Sequence, residues 1–257
     1  MAAAKHMITI GPGQLGRLFS GGALRLGMTV IPATRATGVA PALAQSAAGN
    51  PILVTVGEAA LMEVLASLPS DRRKDVILVQ NELLPAELAE LGVEPTYAVV
   101  WTSVKPGQPI QVGARTGLFG EHAGLMARIH ETLDLPFTLL QSASALKGEL
   151  SAKYALILTI NALGMAEDLR LDQWLERDPD LVRAVVEDAM TLGGRLLGDG
   201  EVDGDVDLVV SALQNLGPIR ARGRSAPARV ERASQDAARL ALALPAIDRL
   251  NPAGWVQ

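Results

Sequence analysis

ITIGPGQLGRLF, Ile8 to Phe19, sets an apolar run against three glycines, Gly11, Gly13 and Gly16, and then opens a helical pattern. The arrangement predicts a strand, a tight turn and a helix. In that context G-x-G-x-x-G works as a phosphate cradle. The first glycine permits the turn, the second lets a pyrophosphate approach the main chain, and the third permits close packing of helix on strand. The helix N-terminus adds unpaired N–H groups and a partial positive charge, which brings Gln14 and Leu15 into the cradle with the glycines. Pro12 stiffens the turn and removes one donor from it. A glycine turn that holds no ligand would use the same residues, so the surrounding sequence decides.

Beyond Phe19 the alternation of strand and helix repeats. MITI (7–10), MTVIP (28–32), PILVTV (51–56), DVILVQ (75–80) and TYAVVW (96–101) are short, rich in β-branched residues and bounded by turn formers. Fully apolar runs of this length suit strands covered on both faces of a parallel sheet. Helical spacing occupies 14–26, 58–68 and 85–91 between them. PGQPIQVGARTGLFG (106–120) reads as a hairpin, followed by a helix from Glu121 to about Leu133 and a further strand, FTLLQ, at 137–141. From Ala143 the pattern is helical almost throughout, and its longest continuous segment runs from Leu146 to Leu169. The expected fold class is α/β, a Rossmann-like doubly wound parallel sheet, followed by an all-α C-terminal domain. The expected domains are residues 1–142 for nucleotide binding and 143–257 for substrate binding or dimerisation.

Composition removes several chemistries. Of 257 residues 49% are apolar, enough for a sizeable core, and there is no cysteine, which excludes disulfides, thiolate nucleophiles and cysteine metal sites. The three histidines, His6, His122 and His130, have no metal-ligand spacing, and no metal is expected. His122 and His130 fall on or beside a predicted surface helix and are expected to be structural or solvated. A net charge of −5 without a basic cluster argues against a nucleic-acid or membrane-surface partner. RARGRSAPARVER (220–232) reads as an exposed loop entering a helix, and LLGDGEVDGDVD (196–207) as a solvated acidic loop without the spacing of a calcium site. No apolar run reaches the ~18 residues of a spanning helix, and the expected location is the cytoplasm.

The end of the second predicted strand bears on the choice of dinucleotide. An NAD site usually places an acid about 20 residues beyond the glycines, on the ribose 2′-hydroxyl. Here PATRATG (32–38) offers Thr34 and Arg35 and no acid. A guanidinium flanked by hydroxyls suits a 2′-phosphate, which favours NADP(H), although an arginine at a strand end is common without that role. In the helical half Lys153 and Asn161 lie eight residues apart on one predicted helix, about 80° and ~12 Å from each other. They can hold opposite ends of a small substrate. A lysine snorkelling to solvent and an asparagine satisfied at a helix contact would look the same in sequence.

ITIGPGQLGRLF, ILVTV, VILVQNELLPAEL, the stretch PGQPIQVGARTGLFG and AKYALILTINAL, in that order, resemble the ketopantoate reductase (2-dehydropantoate 2-reductase) family from about Met7 to Ala166. The most specific pieces are VQN, ending in Asn81, and the pair Lys153 and Asn161. The resemblance implies a Rossmann domain joined to a helical domain, NADPH as hydride donor and reduction of a 2-oxo acid to a 2-hydroxy acid. It implies Asn81 near nicotinamide and substrate, Lys153 as general acid, Asn161 on the polar end of the substrate and Arg35 on the 2′-phosphate. Ser225 matches the serine of the family's substrate-binding Ser and Glu pair, and a homodimer is a further expectation.

The chain also departs from that pattern. Glu82 follows Asn81 where the family has glycine, Ile157 stands one turn after Lys153 where an asparagine is usual, and Gly57 and Glu58 stand where a lysine is expected after ILVTV. Glu231 and Asp236 fall at the wrong spacing for the acid that partners the serine. Lost polar contacts of this kind cost about 1–3 kcal/mol each in recognition of the family's own substrate, which points to a more apolar one. The alternatives are a non-catalytic NADP(H)-binding or redox-sensing descendant, and a protein that works by self-association without a nucleotide.

Overall fold

Apolar runs bounded by turns give short strands that stack in parallel. The structure is a computed structural model and describes residues 5–79, 83, 85–105, 107–198, 205–223 and 225–250. β1 (His6–Ile10), β2 (Thr29–Ala33), β3 (Ile52–Val54), β4 (Val76–Leu78), β5 (Thr96–Val99), β8 (Thr116–Phe119) and β9 (Phe137–Leu139) form one sheet in the order β2-β1-β3-β4-β5-β8-β9. β6 (Thr102–Ser103) pairs with β7 (Gln111–Val112) in a second, two-stranded sheet. The register aligns Ile10 with Ala33 and Val54, and Val54 with Leu78, so the residues after these four strands gather at one end of the sheet.

The sheet is the expected parallel one except at β8, which runs antiparallel to β5. One expectation is corrected by the pairing: 106–120 is not a hairpin in itself. Its two strands pair with earlier ones, β7 with β6 and β8 with β5, since TGLF is apolar enough to join the buried sheet while IQVG is not.

The helices cover both faces. α1 (Gln14–Arg25), α2 (Ala40–Leu43), α3 (Glu58–Ala66), α4 (Pro85–Glu90) and α5 (Ala123–Thr132) complete this unit. Successive strand residues point to opposite faces. Ile8 and Ile10 join Val54, Leu78, Leu61, Leu65 and Leu88 in one apolar cluster with α3 and α4. Thr9 turns the other way, and its hydroxyl lies 2.9 Å from Ser20 Oγ on α1. At the far end of the strands Arg72 and Asp75 form a buried ion pair at 2.7 Å, in a 3-10 turn at Ser70–Asp75. Arg72 also donates to Ser46 O and Asn50 O, and Asp75 accepts from Gly49 N, which ties the loop before β3 to the start of β4. The edge strand β2 exposes Pro32, which has no N–H to offer another chain.

Of the two roles expected for His122 and His130, structural or solvated, the fold gives the structural one, and their helix is covered rather than a surface helix. His130 is fully buried between Phe19 and Phe137 because α5 packs on α1, and its Nδ1 bonds Met126 O at 2.7 Å. His122 is buried as well, its N–H donating to Thr96 Oγ1. Burial pushes both imidazoles below their usual range.

The chain divides into two units, Met1–Gln111 with Arg115–Ser142, and Val112–Ala114 with Ala143–Gln257. The second is helical: α6 (Ala143–Ala166), α7 (Leu171–Arg177), α8 (Pro179–Leu196), α9 (Val206–Leu216), α10 (Ala226–Arg239) and α11 (Pro245–Leu250). α6 is its axis, packed against α8, α9 and α10, and Ser151 Oγ donates to Met190 O across the α6–α8 contact. Carboxylates close the ends of the shorter helices. Asp178 accepts from Leu181 N, Asp205 from Leu208 N, and Asp188 from Ala246 N and Ile247 N at the start of α11. Among the described residues no helix is long and apolar enough to cross a membrane.

Candidate functional site

The first candidate site is the glycine turn at the strand-end face of the sheet. Gly11 has φ +76°, which side chains other than glycine rarely adopt, and a Cβ there would lie 2.7 Å from Val56 Cγ1. Its N–H donates to Ala33 O, and its carbonyl accepts from Gly13 N and, at 2.6 Å, from the Thr55 hydroxyl. Thr55 also donates to Ile10 O. Gly16 makes room for this: a Cβ on it would fall 2.5 Å from Thr55 Oγ1. Gly13 differs from both, since a Cβ there would meet nothing nearer than Gly11 O at 3.9 Å. It leaves open space above the turn where an approaching group can reach main chain.

Gly13 is the N-cap of α1 and provides no side-chain cap. The first helical bond runs from Arg17 N to Gly13 O, so the N–H groups of Gln14, Leu15 and Gly16 have no acceptor within the helix. Three donors at the positive end of a helix dipole, under an uncrowded glycine, fit a pyrophosphate. One further group reaches this turn: Arg17 Nε donates to Pro12 O at 3.1 Å.

Across the β1–β2 pairing, the segment after Ala33 forms a closed loop. Thr34 N donates to Thr37 Oγ1, Thr37 N to Thr34 Oγ1 and Gly38 N to Thr34 O. Arg35 is exposed at its tip. Gly57 is the N-cap of α3 and Glu58 its first residue, one residue past the Val56 that packs on Gly11. Asn81 and Glu82 lie outside the described residues.

The second candidate site lies on α6 and the segment that crosses it. Lys153 is 7% exposed and Asn161 4%. Both fall on one side of the helix, with the partly exposed Ile157 one turn from each. Burial pulls the Lys153 ammonium from 10.5 down to about 8, against the opposing charge of Glu149. Asn161 Nδ2 is buried and has no hydrogen-bond partner among the described residues, the kind of orphan that calls for a ligand or a water. The chain before α10 passes directly over this helix. Gly164 meets main chain there, since a Cβ on it would sit 2.4 Å from Ala221 C and Arg222 N, and Asn161 Oδ1 lies 3.9 Å from the corresponding point on Gly223. Ser225, two residues on, is exposed at the N-cap of α10, and its hydroxyl caps nothing. Its carbonyl accepts from Arg229 N, and the half-buried Arg229 guanidinium has its pKa lowered by burial and by Arg232.

The cradle residues Gly11, Gly13, Gln14, Leu15 and Gly16 thus stand beside Thr34 and Arg35 in one unit, and Lys153, Asn161 and Ser225 lie along one helix and its crossing segment in the other. Thr55 and Arg17 were missed in the sequence. Thr55 gave a signal, a lone hydroxyl closing the apolar run ILVTV, whereas Arg17 reads only as a helix-surface charge.

The sequence matches no family model and no curated protein. Solved structures do match. A PanE/ApbA family ketopantoate reductase from Ralstonia eutropha JMP134 is 19% identical with a TM-score of 0.67, over 95% of each chain. A dimeric ketopantoate reductase from Staphylococcus aureus is 15% identical with a TM-score of 0.62, over 95% of this chain and 96% of that one. A D-mandelate dehydrogenase in complex with NADH is 13% identical with a TM-score of 0.63 and the same coverage. At these identities the likeness is one of fold: the chain has the fold of the ketopantoate reductases.

Proposed function

We propose that this chain is an NADP(H)-dependent oxidoreductase that reduces a 2-oxo acid or a related carbonyl compound. The observation that carries the proposal is the pair on α6, a buried lysine with a pKa of about 8 and, two turns away, a buried amide without a partner. A buried cation and an orphan donor on one helix face suit a small molecule with two polar ends. The glycine turn, open at Gly13, supports dinucleotide binding in the first unit, which is our proposed nucleotide domain. The neighbours of this fold, reductases of a 2-oxo acid and a dehydrogenase holding NADH, support the same chemistry.

In this mechanism the bound dinucleotide supplies the hydride. Lys153 hydrogen-bonds the carbonyl oxygen, stabilises the alkoxide as it develops and transfers its proton to it, so that C=O becomes CH–OH and the amine regains a proton from solvent. Its lowered pKa keeps the ammonium acidic enough to give up that proton near neutral pH. Asn161 Nδ2 donates to the polar end of the substrate, and Ser225 adds a hydroxyl from the crossing segment. Ile157, between lysine and asparagine, favours an apolar substituent on the substrate. Arg35 pairs with the 2′-phosphate, at the end of the strand beside the cradle, and Asn81 orients the nicotinamide side. A homodimer through the helical unit completes the proposal, in keeping with the dimeric neighbour.

The test is a titration with NADPH and separately NADH, followed by nicotinamide fluorescence, on the wild type and Arg35→Ala. The expected result is binding of NADPH that Arg35→Ala weakens about tenfold or more, then turnover of an apolar 2-oxo acid that Lys153→Ala abolishes. Binding without turnover of any 2-oxo acid would favour a non-catalytic NADP(H) protein, the reading that Ile157 and Gly57 support. Binding of neither dinucleotide would end both.

A further inference from the structure

The glycine turn presents neutral donors to a ligand group that carries two negative charges. Pro12 removes one N–H from the turn and Gly13 N is spent on Gly11 O, so the N–H groups left to an anion are those of Gln14, Leu15 and Gly16. The one cation bonded to this turn among the described residues is Arg17, whose Nε donates to Pro12 O at 3.1 Å. Side chains in a helix lean back toward its N-terminus, and this brings a guanidinium from the second turn of α1 to the rim of the cradle. Nε holds it in place, while both Nη groups remain unpaired with any carboxylate among the described residues. A guanidinium fixed through one nitrogen presents the other two as a fork, the geometry that accepts two phosphate oxygens at once.

We infer that Arg17 is a pyrophosphate clamp, a charged ligand of the dinucleotide that acts on the part common to NADPH and NADH. This rests on the dinucleotide proposal above and separates two tasks within it. Arg35, on the neighbouring strand end, distinguishes the phosphorylated ribose. Arg17, on the turn itself, supplies affinity for the phosphates that every dinucleotide carries. Its tether to Pro12 O also holds the turn while the cradle is empty, so little side-chain freedom is lost on binding.

The experiment measures dissociation constants of NADPH and NADH for wild type, Arg17→Ala, Arg17→Gln and Arg35→Ala, with adenosine 2′-phosphate as a competitor that lacks the pyrophosphate. Arg17 is exposed, and unchanged thermal midpoints are expected for its variants. Arg17→Ala should weaken NADPH and NADH by the same factor, about ten- to a hundredfold, and lower the salt dependence of both. Competition by adenosine 2′-phosphate should stay as in wild type. Arg17→Gln keeps a donor for Pro12 O without the charge and should lose nearly as much. Arg35→Ala should weaken NADPH alone. Wild-type affinity in Arg17→Ala, full affinity in Arg17→Gln, or a loss confined to NADPH would each overturn the clamp. If the wild type binds neither dinucleotide, the dinucleotide proposal fails first, and that outcome is visible without any variant.

Discussion

An ammonium buried on a helix among covered apolar positions such as Ala152, Ala155, Leu156 and Leu158 is costly for as long as it stays charged. Lys153 titrates near 8 in the folded chain against an ordinary 10.5. Below pH 8 both folded and unfolded chains hold the proton, and the full cost of burying the charge is felt. Between about 8 and 10.5 the unfolded chain keeps a proton that the folded one has released, so stability climbs with pH across that window. Lys153→Met should therefore stabilise the protein at pH 7 by up to about 3 kcal/mol. The gain should shrink through pH 8 to 10 and vanish above it, as read from urea midpoints across pH. In the proposed mechanism the same titration acts on catalysis in the opposite sense: carbonyl reduction would need the protonated lysine, and kcat should fall as pH rises through about 8. Thr55 works at the other site by holding a carbonyl. Thr55→Val removes the donor from Gly11 O and should cost about 1–2 kcal/mol. It should also weaken dinucleotide binding about tenfold, with Thr55→Ser restoring both, in paired urea and fluorescence titrations.

Helix α6 is the element on which the second site depends, and the residue that lets the chain cross it is Gly164 rather than any polar group. Gly164→Ala would drive a methyl into the main chain of Ala221 and Arg222, which cannot rotate away. The expected loss is about 1–3 kcal/mol. Amide exchange at 219–223 should be faster, since that segment must lift from the helix and carry Gly223 away from Asn161. None of this was legible in the sequence, because a contact between a helical glycine and a loop much further along the chain leaves no local pattern. Local pattern did give the strands and the helices between them, since runs such as ILV and VIL have no other burial of comparable quality. It failed where pairing is long-range. The apolar TGLF reads as half a hairpin when its partner is β5, and HAGLMARIH reads as a surface helix until α1 and Phe137 cover His130. The glycine turn was legible because its spacing encodes a backbone conformation, which Gly11 adopts at φ +76°. The orphaned amide of Asn161 was not, because satisfaction of a polar group depends on everything packed around it.

At the scale of the molecule, the fold gathers the residues proposed to hold the dinucleotide at the ends of its strands. The turn at Gly11, the loop at Thr34 and Arg35 and the segment at Thr55 and Gly57 come from three stretches of chain that the order β2-β1-β3 places side by side. That order could be expected from the repeated strand and helix pattern, while the reversal at β8 could not. The buried Arg72–Asp75 pair lies at the opposite ends of the strands, where it ties loop to strand without touching the cradle. Each unit has its own core, so a ligand confined to the first should stabilise that unit without reinforcing the helices of the second. At a hundred times its dissociation constant, NADPH should add about 2.7 kcal/mol to the unfolding free energy of the unit that binds it. For a chain of this size that raises the thermal midpoint by about 5–10 °C if unfolding is concerted, and moves only one transition if the units melt separately. Hydrogen exchange locates the effect. Amides from Gly11 to Arg17 and from Thr34 to Gly38 should slow on NADPH addition, while α8 and α9 exchange as before. Slowing in α8 and α9 without change at the glycine turn would place the ligand in the helical unit and remove the cradle from the mechanism.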